Sequence, residues 1–225
     1  MVKRRMLVVF DVEGVLLDAE YLPKLAELMG EAKAAEITKI TNAGIRGDIV
    51  WEEGLRRRVH ALRGIPFEDA KEIAEKLPLM YGAKELCSTL KKAGWKMIAV
   101  SGGFTLITDR LKDELGLDRI FSNELVFKEG VLDDVKMNVT SDKAAAVLPT
   151  IRDYGIRKED TVVVVDGAND LKLFDIAELR VGFVPADVVR DKADEVIPSK
   201  DLTILLHLLQ KKFGKAVLVN AANRR

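Results

Sequence analysis

The amino-acid sequence predicts an α/β protein with a doubly wound, mostly parallel sheet and a small inserted helical cap. Three runs, Leu7 to Phe10, Trp95 to Val100 and Thr161 to Val165, are apolar but for Lys96 and Thr161, the composition of strands buried on both faces. Each stops abruptly at acids, serine or glycine, and helical patterns separate them, the alternation that builds a Rossmann-like sheet. Between the first and second runs lie about sixty residues of helical period, more than one crossover helix needs. The expected division is therefore 1–16 and 81–225 for the α/β core and 17–80 for the cap.

The elements follow in order. Leu7 to Phe10 is the first strand and ends at Asp11-Val12-Glu13-Gly14. Tyr21, Leu25, Leu28 and Met29 recur at helical spacing, and an Ala- and Glu-rich helix covers Glu31 to Ile40. A glycine-bearing break from Gly44 to Gly47 precedes a helix from Trp51 to Leu62. Pro66 opens another, Phe67 to Leu77, which Pro78 closes. The core resumes with a helix from Ala83 to Lys92 stopped by Gly94, then the strand Trp95 to Val100 ending in Ser101-Gly102-Gly103. A helix from Thr105 to Leu115 leads into a β-hairpin, Phe121 to Phe127 and Val131 to Lys136, around Lys128-Glu129-Gly130. Thr140-Ser141-Asp142 reads as the N-terminal cap of a helix carrying Lys143 in its first turn. Thr161 to Val165 ends in Asp166-Gly167-Ala168-Asn169-Asp170, and a helix runs on through Ala177. Short strands at Val181 to Val184 and Val196-Ile197 complete the sheet. A terminal helix from Asp201 to Phe213 carries the stripe Leu202, Leu205, Leu206 and Leu209, and residues 216–225 fit no element.

Composition narrows the chemistry by elimination. Lys+Arg and Asp+Glu balance at 36 each, so no global field favours nucleic acid or an anionic membrane surface. The apolar run after Lys3-Arg4-Arg5 lasts five residues before Asp11, too short for a secretory leader, and no stretch is long enough to span a bilayer. A single cysteine, Cys87, excludes an internal disulfide, and two histidines, His60 and His207, leave a zinc site or a His-based triad short of parts. Carboxylate, hydroxyl and lysine chemistry remain.

Parallel strands deliver their carboxyl ends to one edge of the sheet, where ligands bind in open α/β folds. Asp11 and Glu13, Ser101 and Gly102, and Asp166, Asn169 and Asp170 therefore converge, joined by Lys143. Several carboxylates without histidine or cysteine suit a hard cation such as Mg²⁺ together with phosphate oxygens. Ser101 and bare glycine amides before a helix suit a phosphate. Phosphoryl transfer is the implied reaction, with Asp11 as nucleophile and Glu13 as acid and base. A helix-capping aspartate is the ordinary alternative for Asp11 alone. A receiver domain is about half this length and lacks a helical cap, and a dinucleotide fold lacks its glycine fingerprint here.

Asp11-Val12-Glu13-Gly14-Val15, Ser101-Gly102-Gly103, Lys143 and Asp166-Gly167-Ala168-Asn169-Asp170 resemble, in order, the four motifs of the haloacid dehalogenase-like superfamily. The resemblance is to its phosphoserine phosphatase branch and covers residues 7–209. It implies a Mg²⁺-dependent phosphomonoester hydrolase of serine biosynthesis in the cytoplasm, acting on O-phosphoserine through an aspartyl-phosphate. The small phosphorylated metabolite is its one implied partner, and a homodimer is compatible with it. Carried over residue by residue, the metal falls to Asp11, Asp166, the backbone carbonyl of Glu13 and, in support, Asp170. Phosphate falls to Ser101, Gly102, Lys143 and Asn169. The cap's substrate residues match Glu20, for the amine, and Trp51 with Arg58, for the carboxylate. The chain departs from the branch at Glu13, where Asp is usual, at Gly14, where Ser or Thr is usual, and at Val165, where Gly is usual. A glutamate at position 13 is similar to a phosphoserine:homoserine phosphotransferase, so transfer to a small hydroxy amino acid is the alternative. Binding without turnover is the other.

Overall fold

The computed structural model describes residues 5–214; the unplaced 216–225 segment lies outside them. In chain order the elements are β1 (Leu7–Phe10), α1 (Tyr21–Ala26), α2 (Glu31–Arg46), α3 (Trp51–Ala61), α4 (Phe67–Lys76), α5 (Ala83–Ala93), β2 (Lys96–Phe104) and α6 (Thr105–Glu114). They continue with β3 (Arg119–Lys128), β4 (Val131–Lys136), α7 (Lys143–Asp153), β5 (Thr161–Val165), β6 (Leu179–Phe183), α8 (Asp187–Arg190), β7 (Glu195–Ile197) and α9 (Leu202–Phe213). The seven strands are ordered β4-β3-β2-β1-β5-β6-β7, all parallel except the β3/β4 hairpin.

Strand alternation divides the core into two layers. On β1, Val8 and Phe10 enter one apolar cluster, and Leu7 and Val9 enter the other; Val162/Val164 and Val163/Val165 on β5 divide in the same way. Every one of these residues is fully buried, which is why the runs are uniformly apolar and not alternating. α5, α6 and α9 cover the first face together with residues of α1, α3 and α4, while α7 and α8 cover the second. β1 lies between β2 and β5, so the winding reverses at its carboxyl end, the position from which a doubly wound sheet binds ligand.

The four helices α1 to α4 leave the sheet and return to it at one place. Asp18 N–H donates to Pro78 O and Met80 N–H to Leu16 O, so the outgoing and incoming chains are tied side by side. Further along, Gly64 and Phe67 donate to Leu132 and Gly130, and Leu132 donates to Ile65, which seats the segment against the β3/β4 hairpin.

Several boundaries differ from expectation for local physical reasons. β2 does not stop at Val100: Ser101-Gly102-Gly103 stays extended to Phe104, with a register shift against β3 between Val100 and Phe104. α2 runs through Gly44 and ends only at Gly47, whose φ of +83° supplies the left-handed cap. The expected helix after Asp166 is a 3-10 segment, Ala168–Ile176. β3 begins at Arg119, ahead of Phe121, and the short helix α8 follows β6. Asp142 is the N-cap of α7, accepting from Ala145 N–H at 3.2 Å.

Candidate active site

Asp11 sits at the carboxyl end of β1, its backbone N–H continuing the ladder to Val164 O at 3.0 Å. Its Oδ1 accepts from Lys143 Nζ at 2.6 Å across 132 residues of sequence, and Lys143 Nζ also pairs with Asp170. Lys143 is 1% exposed, and a buried ammonium is tolerable only with such partners. Burial opposes its charge, but Asp11 and Asp170 outweigh that and hold its pKa above the ordinary value. The lysine is positioned by the first turn of α7, the aspartates by β1 and by the turn after β5.

Asp11, Asp166 and Asp170 each offer a carboxylate oxygen, all within 4.8 Å of one another. Burial pushes the Asp166 pKa well above its ordinary value, and the charges of Asp11 and Asp170 add to the push. Asp170 is raised to about 7 by burial and by Asp11, against the relief from Lys143. Like charges packed this closely need a cation, and an all-oxygen donor set fits a hard divalent ion.

Glu13 crosses toward the helices. Its Oε1 accepts from Tyr21 N–H, at the start of α1, at 2.6 Å. Burial raises its pKa to about 7, Asp11 adding to the rise and the Tyr21 bond opposing it. Glu20, at the N-cap position of α1, makes no capping bond, and its side chain lines the cavity. Burial and the charges of Glu13 and Asp11 hold its pKa well above the ordinary value.

Glycines permit this crowding. A Cβ on Gly14, whose φ is +80°, would lie 2.1 Å from Asp166 Oδ2, and one on Gly103 would lie 2.2 Å from Glu13 Oε2. The glycine at position 14 thus admits Asp166 to the aspartate cluster.

The cavity is lined by Asp11, Glu13, Glu20, Trp51, Ser101, Gly102, Lys143, Asp166 and Asn169 among the expected residues, with Ile45 and Gly103 added. Asp170 lies behind it, against Lys143 and Gly167 N–H. Arg58 is not on the cavity wall. It is buried, stacks on the Trp51 ring at 4.9 Å, and donates to Gly54 O at 3.2 Å and Thr41 Oγ1 at 3.0 Å. Its charge still lowers the pKa of both Glu13 and Glu20.

Asn123 escaped the sequence reading. Fully buried on β3, it donates to Gly102 O at 2.9 Å and accepts from the N–H groups of Asn138 and Val139 at 2.8 Å, holding the strand end that carries Ser101 and Gly102. Because β3 also carries Ser122 and Glu124, an amide there gave no distinguishing signal.

The family model described as haloacid dehalogenase-like hydrolase matches residues 6–174. A phosphoserine phosphatase of Methanocaldococcus jannaschii is 34% identical over 213 residues, covering 93% of this chain and 100% of that one. The one from Wolinella succinogenes is 40% identical over 206 residues, covering 90% and 99%. A third, from Archaeoglobus fulgidus, is 40% identical over 211 residues and 92% of this chain, which spans 61% of that relative. Among solved structures, a substrate-bound phosphoserine phosphatase complex superposes with a TM-score of 0.87 at 33% identity, over 92% of this chain and 99% of that one. A phospho-aspartyl intermediate analogue of phosphoserine phosphatase matches with the same figures. The chain belongs to the haloacid dehalogenase-like hydrolases, in their phosphoserine phosphatase branch.

Proposed function

We propose that this protein is a Mg²⁺-dependent phosphomonoester hydrolase that acts on O-phosphoserine through an aspartyl-phosphate on Asp11. One observation carries the reading: Lys143 is locked to Asp11 inside a cluster of three aspartates, beside the Ser101–Gly103 strand end. Asp11, Asp166 and the Glu13 carbonyl are the residues that would hold the ion, with Asp170 in support. When bound, Mg²⁺ supplies positive charge against the phosphoryl oxygens.

Asp11 attacks phosphorus and the bond to the serine oxygen breaks, while the Glu13 carboxyl gives its proton to the departing alkoxide. A pKa of about 7 leaves Glu13 enough of the acid form near neutrality for that donation. The carboxylate then takes a proton from water, whose oxygen attacks phosphorus and releases Asp11. Lys143 keeps Asp11 ionised and aimed, and Ser101 and Gly102 hold phosphoryl oxygens along with Asn169.

Segment 17–80 acts as the substrate-selecting cap. Glu20 takes the amine, and Arg58 favours a carboxylate through its charge and by bracing Trp51. Relatives named phosphoserine phosphatase favour hydrolysis over transfer to homoserine; a cytoplasmic role in serine biosynthesis is part of the same proposal and rests on the motif resemblance.

A phosphomonoester panel with Mg²⁺ tests this. Phosphoserine should lead phosphoglycolate and sugar phosphates, Asp11→Asn should abolish turnover, and Arg58→Ala should raise KM for phosphoserine more than for p-nitrophenyl phosphate. Turnover by Asp11→Asn sinks the nucleophile, and equal losses on both substrates restrict Arg58 to supporting Trp51.

A further inference from the structure

Trp51 carries a donor that no described residue of the protein accepts. Its indole Nε1 is buried and has no hydrogen-bond partner among the described residues. Leaving such a buried donor unpaired is destabilising, so its placement calls for an acceptor from elsewhere. The ring cannot readily turn to find one. A Cβ on Gly102 would stand 2.5 Å from Trp51 Cζ2 and 3.1 Å from Nε1, and one on Gly44 would stand 3.1 Å from Cε3, so the indole is slotted between two glycines. Arg58 covers its face at 4.9 Å. The nearby carbonyl of Gly102 is already engaged by the Asn123 amide. Trp51 and Gly102 both line the cavity, and the ring edge bearing Nε1 is the edge that meets Gly102.

We propose that Trp51 Nε1–H donates a hydrogen bond to a phosphoryl oxygen of the bound phosphomonoester, making the indole a phosphate-binding donor as well as a wall of the site. The inference rests on the phosphomonoester reading above. The phosphate, and not the substrate carboxylate, is the acceptor because the Nε1 edge lies against Gly102, between Ser101 and Gly103 on the strand end beside Asp11. An anionic oxygen there relieves the unpaired donor, which the folded protein keeps oriented at the cost of leaving it unsatisfied until ligand arrives.

The test uses the intact chain with Mg²⁺ and inorganic phosphate as probe. Two tryptophans, Trp51 and Trp95, give two indole N–H resonances, assigned through Trp51→Phe. Phosphate should move the Trp51 resonance downfield and leave Trp95 in place, a readout that a purely packing role does not produce. Trp51→Phe keeps an aromatic ring and should bind phosphate roughly tenfold or more weakly, with a parallel rise in KM for phosphoserine and for p-nitrophenyl phosphate. Phosphate binding with an unmoved Trp51 resonance, or unweakened in Trp51→Phe, overturns the inference alone. A KM rise confined to phosphoserine also overturns it, by assigning the donor to the carboxylate. Absence of phosphate binding to the wild-type chain overturns the phosphomonoester reading and this inference with it.

Discussion

The Glu52 carboxylate accepts hydrogen bonds from both the backbone N–H and the hydroxyl of Ser141, each at 2.8 Å, across 89 residues of sequence. Glu52 follows Trp51 at the start of α3, and Ser141 lies two residues before Lys143. The pair therefore pins the helical segment to the loop that delivers the lysine. Burial works against the Glu52 charge, yet the two Ser141 bonds prevail and hold its pKa below the ordinary carboxylate value.

Glu52→Ala should loosen this tie without touching the reacting groups. We expect kcat/KM for phosphoserine to fall roughly 3- to 30-fold, the cost of one or two lost charge-assisted bonds, with the far-ultraviolet circular dichroism unchanged. Glu52→Gln, which keeps one acceptor oxygen, should fall between. Steady-state kinetics on the two variants decide the matter, and equal rates for wild type and Glu52→Ala would show the tie to be idle.

With the aspartate cluster as the proposed metal site, the protein's stability should be metal-dependent. Mg²⁺ at a hundred times its Kd should add about 2.7 kcal/mol and raise Tm by about 5–10 °C for a chain of this size. Asp166→Asn should lose most of that shift. It should also be no less stable than wild type in chelator, because burial and the neighbouring Asp11 and Asp170 already disfavour an Asp166 charge and the amide carries none. Differential scanning calorimetry with Mg²⁺ and with EDTA checks both halves.

Metal-free protein should lose stability as pH rises. Glu13 and Asp170 are raised by burial to about 7 in the folded chain, from ordinary values of 4.5 and 3.8. Between those limits the folded state holds protons that the unfolded state has released, so unfolding becomes easier as pH climbs through the window. Urea titrations in EDTA at pH 5 and pH 8 should show the lower midpoint at pH 8, and Glu13→Gln should flatten part of the difference. A midpoint that climbs with pH would mean that these carboxylates are ionised throughout.

Most of the site was legible because it is assembled from strand ends. Asp11, Ser101 and Asp166 follow runs whose apolar continuity already implies a buried parallel sheet, and parallel strands bring their carboxyl ends together whatever the intervening chain does. Gly44 was misread for a related reason. As sequence a glycine signals a break, whereas here it lies inside α2 and makes room for the Trp51 ring.

The sequence by itself determined the alternation of strands and helices, the residues placed at one sheet edge, and the carboxylate-and-lysine chemistry open to them, because period and residue type are local properties. Tertiary structure alone decided that Arg58 braces Trp51 from behind, that Asn123 holds the Gly102 carbonyl, that Glu52 meets Ser141, and that the Trp51 N–H is left unpaired among the described residues. Those facts depend on which side chains approach across tens of residues of chain. Such approaches are set by packing of the helical segment onto the sheet, for which no residue spacing stands proxy.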